Sequence, residues 1–392
     1  MTPEARPASA VRLAWLGHAS GNRSDGLSSY SEQVAGGLQR VGLEVMFHHA
    51  AGDGAVVPGR PSEVVSWPTL KFKTVTVPRL GFRPAMAAWL ESRRPQILHC
   101  SLSMTVDDGW VGQCARRLGS ATVVTFHLPF GRPGTARAAV MRELHRFWAR
   151  RLSAYQRVIV FSRDHQERLA RVGVPLERLR VVPNAVDLEL FSPGDGVLRR
   201  ERLAEAGLVV GYLGRLDPEK GIRPLLAAFQ RAGLDRSARL LIAGDGVLRP
   251  LVERAAARDP RVVYLGRLVG VAARADFWRS IDLFCLPSTA EGLSIAMLEA
   301  MATGRAVAVT RAGGLREAGA GAFELEAGRL QGSLAGLLQE AAHDRDLLAE
   351  KGSLARSEAV RHHGIETMLD HLLEIYSELG VNLPTPGPQG TG

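Results

Sequence analysis

Short apolar runs, each followed by a segment of helical periodicity, recur along the whole chain, and this alternation constrains the fold more than any other feature. Strands separated by helices return parallel to one another, so the expectation is α/β architecture with parallel sheets covered by helices. In the first half the runs are Val11–Leu16, Leu43–His48, Gln96–His99, Ala121–Phe126, Arg157–Phe161 and Arg180–Val182. In the second they are Leu208–Leu213, Arg239–Ala243, Val262–Leu265, Leu283–Leu286 and Ala306–Val309. A chain of 392 residues exceeds the roughly 250 to 300 that one core sustains, so two doubly wound domains are expected. The break falls in a stretch rich in Pro, Gly, Asn and Asp, from Val182 to Gly196, which divides the chain into 1–187 and 188–380. Residues 381–392 are rich in Pro and Gly and read as a disordered tail. No internal sequence repeat is present.

An apolar content of 46% with 23% charged residues is that of a soluble globular enzyme. The net charge of +9 is unevenly spread. Residues 1–187 hold 25 Lys and Arg against 14 Asp and Glu, a net of +11, while residues 188–392 hold 24 against 26, a net of −2. A basic half suggests an anionic partner, such as a membrane surface or a phosphorylated or acidic acceptor. Nucleic acid is disfavoured by the lack of zinc spacing, paired RNA-stacking aromatics or a basic helix-turn-helix pattern. Cys100, Cys114 and Cys285 are too scattered for a disulfide framework or a zinc site, which points to a reducing compartment and a cytoplasmic location. The first residues lack the apolar core of a signal peptide, and no run reaches the 18 apolar residues of a membrane span, so any membrane contact is expected to be peripheral.

Chemistry concentrates at the ends of apolar runs, where sheets of this class bind ligands. After Leu213 comes G-R-L-D-P-E-K-G at 214–221, a turn with two cations, Arg215 and Lys220, that suits a diphosphate, and with Gly221 allowing close approach. Alone, the turn also reads as a solvated loop with surface ion pairs. After Leu286, Glu291 precedes a helix and Glu299 lies inside it, eight residues on, hence about 12 Å along the axis and on nearly the same face. The amides of Gly292, Leu293 and Ser294 at the helix start would meet a phosphate lying between them. Glu299 sits among Ala296, Met297, Leu298, Ala300 and Met301, where a carboxylate needs hydroxyl or cation partners. A capping glutamate followed by a buried structural one is the bland alternative.

In the first half, the glycines from Gly17 to Gly26 do not fit the dinucleotide fingerprint. His127 ends a strand beside Leu128-Pro129-Phe130-Gly131. A helix over Gly134–Tyr155 puts Val140, Leu144, Trp148 and Leu152 on one stripe, with Arg142, Arg146 and Arg150 opposite and Arg137 and Arg151 nearby. That basic face is either merely solvated or a docking surface for anionic lipid. Asp344 and Asp346 form a D-x-D in a polar helical segment and read as surface.

The Glu291 to Glu299 spacing resembles the E-x7-E signature of glycosyltransferase family 4, and E-G-L-S-I-A-M-L-E-A-M-A-T-G from 291 to 304 is similar to that family's segment. The resemblance extends to residues 214–221, to V-P-N-A-V-D at 182–187, to I-A-G-D-G at 242–246 and to A-G-G-L-R-E at 312–317, spanning about residues 11–375. It implies a GT-B fold, two Rossmann-like domains facing across a cleft, with the last helix packing back on the first domain. It further implies a retaining, metal-independent hexosyltransferase without cofactor, moving a sugar from a nucleoside-diphosphate sugar to a lipid-linked or cell-envelope glycan acceptor. In that scheme Arg215 and Lys220 hold the diphosphate, Glu291 the donor sugar, Glu299 the ribose and Gly266-Arg267-Leu268 the base. Gly26 faces the diphosphate from the other domain, and His127 lies beside the reacting sugar. Ala185 replaces a usual Gly, Arg305-Ala306 a usual x-Pro, and the stretch after Glu317 is short; these touch the hinge and the sugar pocket wall. Two other readings are an epimerase or phosphorylase of the same fold and a degenerate partner subunit that binds sugar nucleotides without turnover.

Overall fold

The computed structural model describes residues 10–18, 26–50, 60–72, 75–101, 107–127, 136–289, 293–311 and 315–383. Glu291, Gly292 and the end of the tail fall outside the described residues, as do the side chains of Gly134–Arg142.

The first half runs β1 (Arg12–Leu16), α1 (Gly26–Arg40), β2 (Glu44–Ala50), β3 (Glu63–Trp67), β4 (Thr69–Phe72), β5 (Val75–Pro78), α2 (Phe82–Arg93), β6 (Ile97–Ser101), α3 (Asp108–Arg117), β7 (Ala121–Thr125), α4 (Ala136–Leu152), β8 (Arg157–Val160), α5 (Arg163–Arg171) and β9 (Leu179–Val181). The second runs α6 (Val197–Arg202), β10 (Val209–Leu213), α7 (Ile222–Arg231), β11 (Arg239–Ala243), α8 (Arg249–Arg258), β12 (Val262–Gly266), α9 (Val271–Ser280), β13 (Leu283–Leu286), α10 (Ile295–Ala302), β14 (Ala306–Thr310), β15 (Ala322–Leu325), α11 (Leu330–His343), α12 (Arg345–His362) and α13 (Ile365–Glu378).

Among the described residues the strands form a seven-stranded sheet in the order β3-β2-β1-β6-β7-β8-β9 and a six-stranded sheet in the order β12-β11-β10-β13-β14-β15. Both are parallel, which explains why central strands such as β6 and β7 are buried at every position and carry apolar residues on both faces. The order reverses between β1 and β6 in one sheet and between β10 and β13 in the other. Those two points are where such folds open a crevice at the carboxyl ends of the strands.

The apolar runs named from sequence correspond to β1, β2, β6 to β9, β10 to β14, and four strands lie outside them. β3 and β15 are sheet edges with mixed burial, and β4 pairs antiparallel with β5 as a separate hairpin. Polar residues break the apolar pattern of β3 and β15, whose positions are mostly exposed or only partly buried, so their sequences lack a strong strand signal.

α13 leaves the second half and lies against α1 of the first. Its buried residues Met368, Leu369, Leu372, Ile375 and Tyr376 form one helical stripe. Gly37 makes room for it, since a Cβ there would meet the Leu369 side chain at 2.8 Å. Tyr376 reaches into the first sheet. Its hydroxyl is 2.6 Å from His99 Nδ1, His99 Nε2 is 2.8 Å from Thr125 Oγ1, and that oxygen is 3.0 Å from the Tyr30 hydroxyl. Near the end of the helix, Glu378 accepts from Arg180 at 2.8 Å and from Arg157 at 3.1 Å.

The linker meets the entry to α13 at one place. The Val186 amide donates to the His363 carbonyl at 2.8 Å, and Val186 pairs with Gly364 as an isolated parallel bridge. Arg356 of α12 donates to the Leu188, Phe191 and Ala302 carbonyls, tying the linker to the second domain.

Candidate functional site

The carboxyl edge of the second sheet is built by interlocking turns. After β10, the Gly214 amide donates to the Ala243 carbonyl, the Leu216 amide to the Asp245 carbonyl, and the Leu248 amide to the Leu216 carbonyl. Gly244 lies so close that a Cβ would meet the Gly214 carbonyl oxygen at 1.8 Å, which accounts for the glycine of the I-A-G-D-G turn. The Gly244 amide donates in turn to the Gly266 carbonyl at 2.7 Å, bringing the β12 turn into register. Beyond it Arg267 is exposed and Leu268 half-buried against the core.

Residues 218–220 form a single 3-10 turn ended by Gly221 at φ 74°. That left-handed backbone favours glycine, and a Cβ there would meet the Pro287 carbonyl oxygen at 2.1 Å. The Glu219 carbonyl accepts from the Thr289 amide at 2.8 Å, the Ser288 hydroxyl at 3.1 Å and the Thr289 hydroxyl at 3.2 Å. The loop carrying Arg215 and Lys220 is thus fastened to the loop that leads into α10, at the reversal of strand order. Arg215 is 65% exposed and paired with Asp217 and Glu219, the surface ion pairs that the solvated-loop reading of this turn expects. Such pairs hold an exposed guanidinium weakly and release it readily. Lys220 is half-buried on the same turn.

Two expectations for the following helix need correction. α10 starts at Ile295, and Ser294 is its cap, its hydroxyl accepting from the Met297 amide at 3.4 Å. The helical rise between Glu291 and Glu299 therefore applies only from Ile295 onward, and the 12 Å separation does not follow. The open amides at the helix start are likewise those of Ile295 and Ala296, with Leu293 and Ser294 ahead of the first turn. A serine hydroxyl satisfies a first-turn amide that a glycine cannot, which shifts the start three residues along. Leu293 is buried, and its carbonyl accepts from Asn184 Nδ2 at 2.9 Å, joining linker and helix start.

Glu299 is 3% exposed. Its Oε1 accepts from Arg274 Nε and Nη2, each at 3.1 Å, and its Oε2 from Trp278 Nε1 at 2.9 Å. Burial pushes the carboxyl up from its ordinary range, and the Arg274 charge with these donors pulls it back. The expected hydroxyl or cation partners of Glu299 carry no mark in the sequence; Arg274 and Trp278 lie four apart on α9, on the same face.

In the first half, β7 carries His127 to the carboxyl edge, half-buried. His127 Nε2 is 2.8 Å from Ser101 Oγ at the end of β6, and its ring packs edge-on against Tyr30 and beside Phe161. Burial, with help from His18 and His99, lowers its pKa to about 3, so it is a neutral hydrogen-bonding group near pH 7. Gly26 begins α1. Ser101 and Tyr30 went unnoticed in the sequence, because a strand-end serine and a helix tyrosine carry no pattern of their own. Asp344 caps α12, accepting from the Leu347 amide at 2.8 Å, and Asp346 is exposed. Among the described residues no cluster of His, Cys, Asp or Glu could hold a metal ion, and no helix is long and apolar enough to cross a membrane.

Two family models match the chain in tandem: one described as Glycosyltransferase Family 4 over residues 24–190, and one described as Glycosyl transferases group 1 over residues 207–342. The chain is 31% identical over 261 residues to a GDP-mannose-dependent alpha-mannosyltransferase of Mycolicibacterium smegmatis, covering 64% of this chain and 65% of that one. It is 30% identical over 241 residues to a GDP-mannose-dependent alpha-(1-6)-phosphatidylinositol dimannoside mannosyltransferase of Mycobacterium tuberculosis, covering 59% and 61%. The matches thus span less than two thirds of either relative. Among solved structures, Anabaena HepE in complex with UDP superposes with a TM-score of 0.74 at 20% identity, over 94% of this chain and all of that one. Both halves of the sequence and the two-sheet architecture thus agree, and the chain belongs to glycosyltransferase family 4, with the GT-B fold.

Proposed function

We propose that this chain transfers a glycosyl group from a nucleoside-diphosphate sugar to an acceptor held by its basic half. The observation that carries the reading is the fastening of the Arg215 and Lys220 turn to the loop entering α10, which gathers two cations and a helix start at the strand-order reversal. In this reading the bond from the sugar C1 to the diphosphate breaks through an oxocarbenium-like state, and the acceptor oxygen bonds C1 from the same face, with retention. The acceptor proton passes to the departing diphosphate. Arg215, Lys220 and the start of α10 stabilise the charge that develops there, a contribution of several kcal/mol in a closed cleft. Glu291 binds the donor sugar hydroxyls, Glu299 the ribose, the Gly266–Leu268 turn the base, and Gly26 leaves space for the diphosphate. His127, neutral and held by Ser101, hydrogen-bonds the sugar rather than donating a proton. These protein groups neutralise the diphosphate without a metal, so activity is expected to persist in excess chelator.

The relatives' names support a mannosyl donor and a lipid-linked acceptor, and the net charge of the first half agrees with an anionic one. α4 is the proposed membrane contact, with the chain peripheral on the cytoplasmic face. Arg146 and Arg150 are exposed there, as is Phe147 at 43%, with the Arg151 guanidinium 3.5 Å over its ring. The test of the donor reading is a panel of nucleotide sugars screened by thermal shift and by donor hydrolysis. One donor is expected to stabilise the protein, and Lys220→Ala and Glu291→Ala to lower turnover about a hundredfold or more with that donor. Undiminished turnover in both variants rejects the site. Binding to vesicles of anionic phospholipid is expected to fall with salt and with Arg146→Glu plus Arg150→Glu; binding that ignores both rejects the membrane contact.

A further inference from the structure

The surroundings of Glu299 are apolar: Met297, Leu298, Ala300 and Met301 of the same helix are fully buried. An ionised carboxylate in such a place carries a desolvation penalty of several kcal/mol unless it is paired and hydrogen-bonded. The pairing comes from one neighbouring helix. Arg274 brings two N–H groups onto Oε1, and Trp278, one turn along α9, brings its indole N–H onto Oε2. Arg274 is itself mostly buried, 15% exposed, with its guanidinium 5.8 Å over the Phe191 ring. Among the described residues it is the one charged side chain acting on Glu299. α12, which also packs against α10, sends Arg356 to the Ala302 carbonyl instead.

As a device for stability this arrangement supplies little, because well-packed apolar side chains of similar volume hold two helices at least as well as a buried ion pair does. What it does supply is an anion fixed in orientation. A carboxylate offers about four acceptor positions, and three N–H groups from Arg274 and Trp278 occupy only part of them, leaving room for hydroxyl donors. We propose that Arg274 is a positioning residue of the donor site, holding Glu299 as an oriented carboxylate whose open lone pairs receive the ribose hydroxyls of the nucleotide. This rests on the donor reading above, and it adds a residue that belongs to none of the sequence motifs. Arg274 acts through Glu299 and not on the nucleotide itself.

The experiment is calorimetric titration of the full chain with UDP and GDP, each against its 2′,3′-dideoxy counterpart, between pH 6 and 8.5. The ratio of the two affinities isolates the ribose, because ionisation of the diphosphate is common to both ligands. The wild-type chain is expected to prefer the ribose form about tenfold or more, with little dependence on pH. In Arg274→Met the uncompensated Glu299 takes up a proton. The preference is therefore expected to fall about tenfold at pH 6 and to recover as rising pH removes that proton, whereas Arg274→Lys keeps most of it. In a Glu299→Gln background, which also relieves the buried charge should Arg274→Met fold poorly, adding Arg274→Met is expected to change the ratio no further. A further drop there shows that Arg274 contacts the ribose directly and overturns the proposal. So does an Arg274→Met single variant with the wild-type ratio at every pH. A wild-type chain that binds without ribose preference overturns this inference together with the ribose role of Glu299, whereas one that binds neither nucleotide rejects the donor reading itself.

Discussion

Gly221 shows how much of the site rests on one missing side chain. Its positive φ and the Pro287 carbonyl pressed against it leave no room for a Cβ. Gly221→Ala is therefore expected to destabilise the second half by about 1–3 kcal/mol and to weaken nucleotide binding, because relief requires the two loops to part. Thermal melts with and without nucleotide measure both effects. An unchanged melt means that the two loops are not held together here. The glycine was legible in the sequence as a point of close approach, but its neighbour was not. The same holds for Glu299, whose burial among apolar residues demanded a partner that lay 21 and 25 positions away on another helix. Side-chain pairing across elements depends on packing that no local pattern encodes. Glu291 and Glu299 together suggested a single helical ruler, and Ser294, one hydroxyl able to cap a backbone amide, decided otherwise.

Among the elements, α13 is the one that ties the two halves together, lying against α1 as the family resemblance led one to expect. Its buried residues form one apolar stripe, yet nothing local in the helix says which core it serves. Tyr376 joins it to a buried line of hydrogen bonds through His99 and Thr125 to Tyr30, whose ring lies 4.8 Å from that of His127. Tyr376→Phe leaves His99 with one unpaired ring nitrogen, so a loss of about 1–3 kcal/mol is expected in chemical denaturation. A loss below the error of the measurement contradicts the hydrogen bond. The central strands were legible because burial on both faces writes a mostly apolar run, whereas β3, β15 and the β4–β5 hairpin, interrupted by polar residues or outside the main sheets, left no such trace.

Across the whole molecule, five histidines, four buried and His127 half-buried, share one behaviour. Burial lowers His48, His99 and His127 to about 3, and His145 and His165 to about 4. Their unfolded counterparts titrate near 6.5, so between these values the unfolded chain binds more protons than the folded one. Stability from this source is complete above about pH 6.5 and is lost as pH falls toward 3 to 4, with each histidine adding a slope of at most about 1.4 kcal/mol per pH unit. The melting temperature is expected to drop between pH 7 and pH 5, before most carboxylates titrate; a flat profile over that interval counts against neutral burial. The sharing of charge between the halves was readable from composition alone, but this proton balance was not, since a lone histidine in a strand or a helix gives no local sign of how deeply it is buried.

The chain passes between its two halves twice, at Val186 and at Gly364, and these passages are hydrogen-bonded side by side. Two pins set next to each other leave one easy axis of rotation and resist sideways swing and shear. Any opening of the halves would turn about that point, beside which Asn184 holds the Leu293 carbonyl. Nor can either half be lifted out by cutting the chain once: a fragment ending at residue 187 would leave bare the groove that α13 fills.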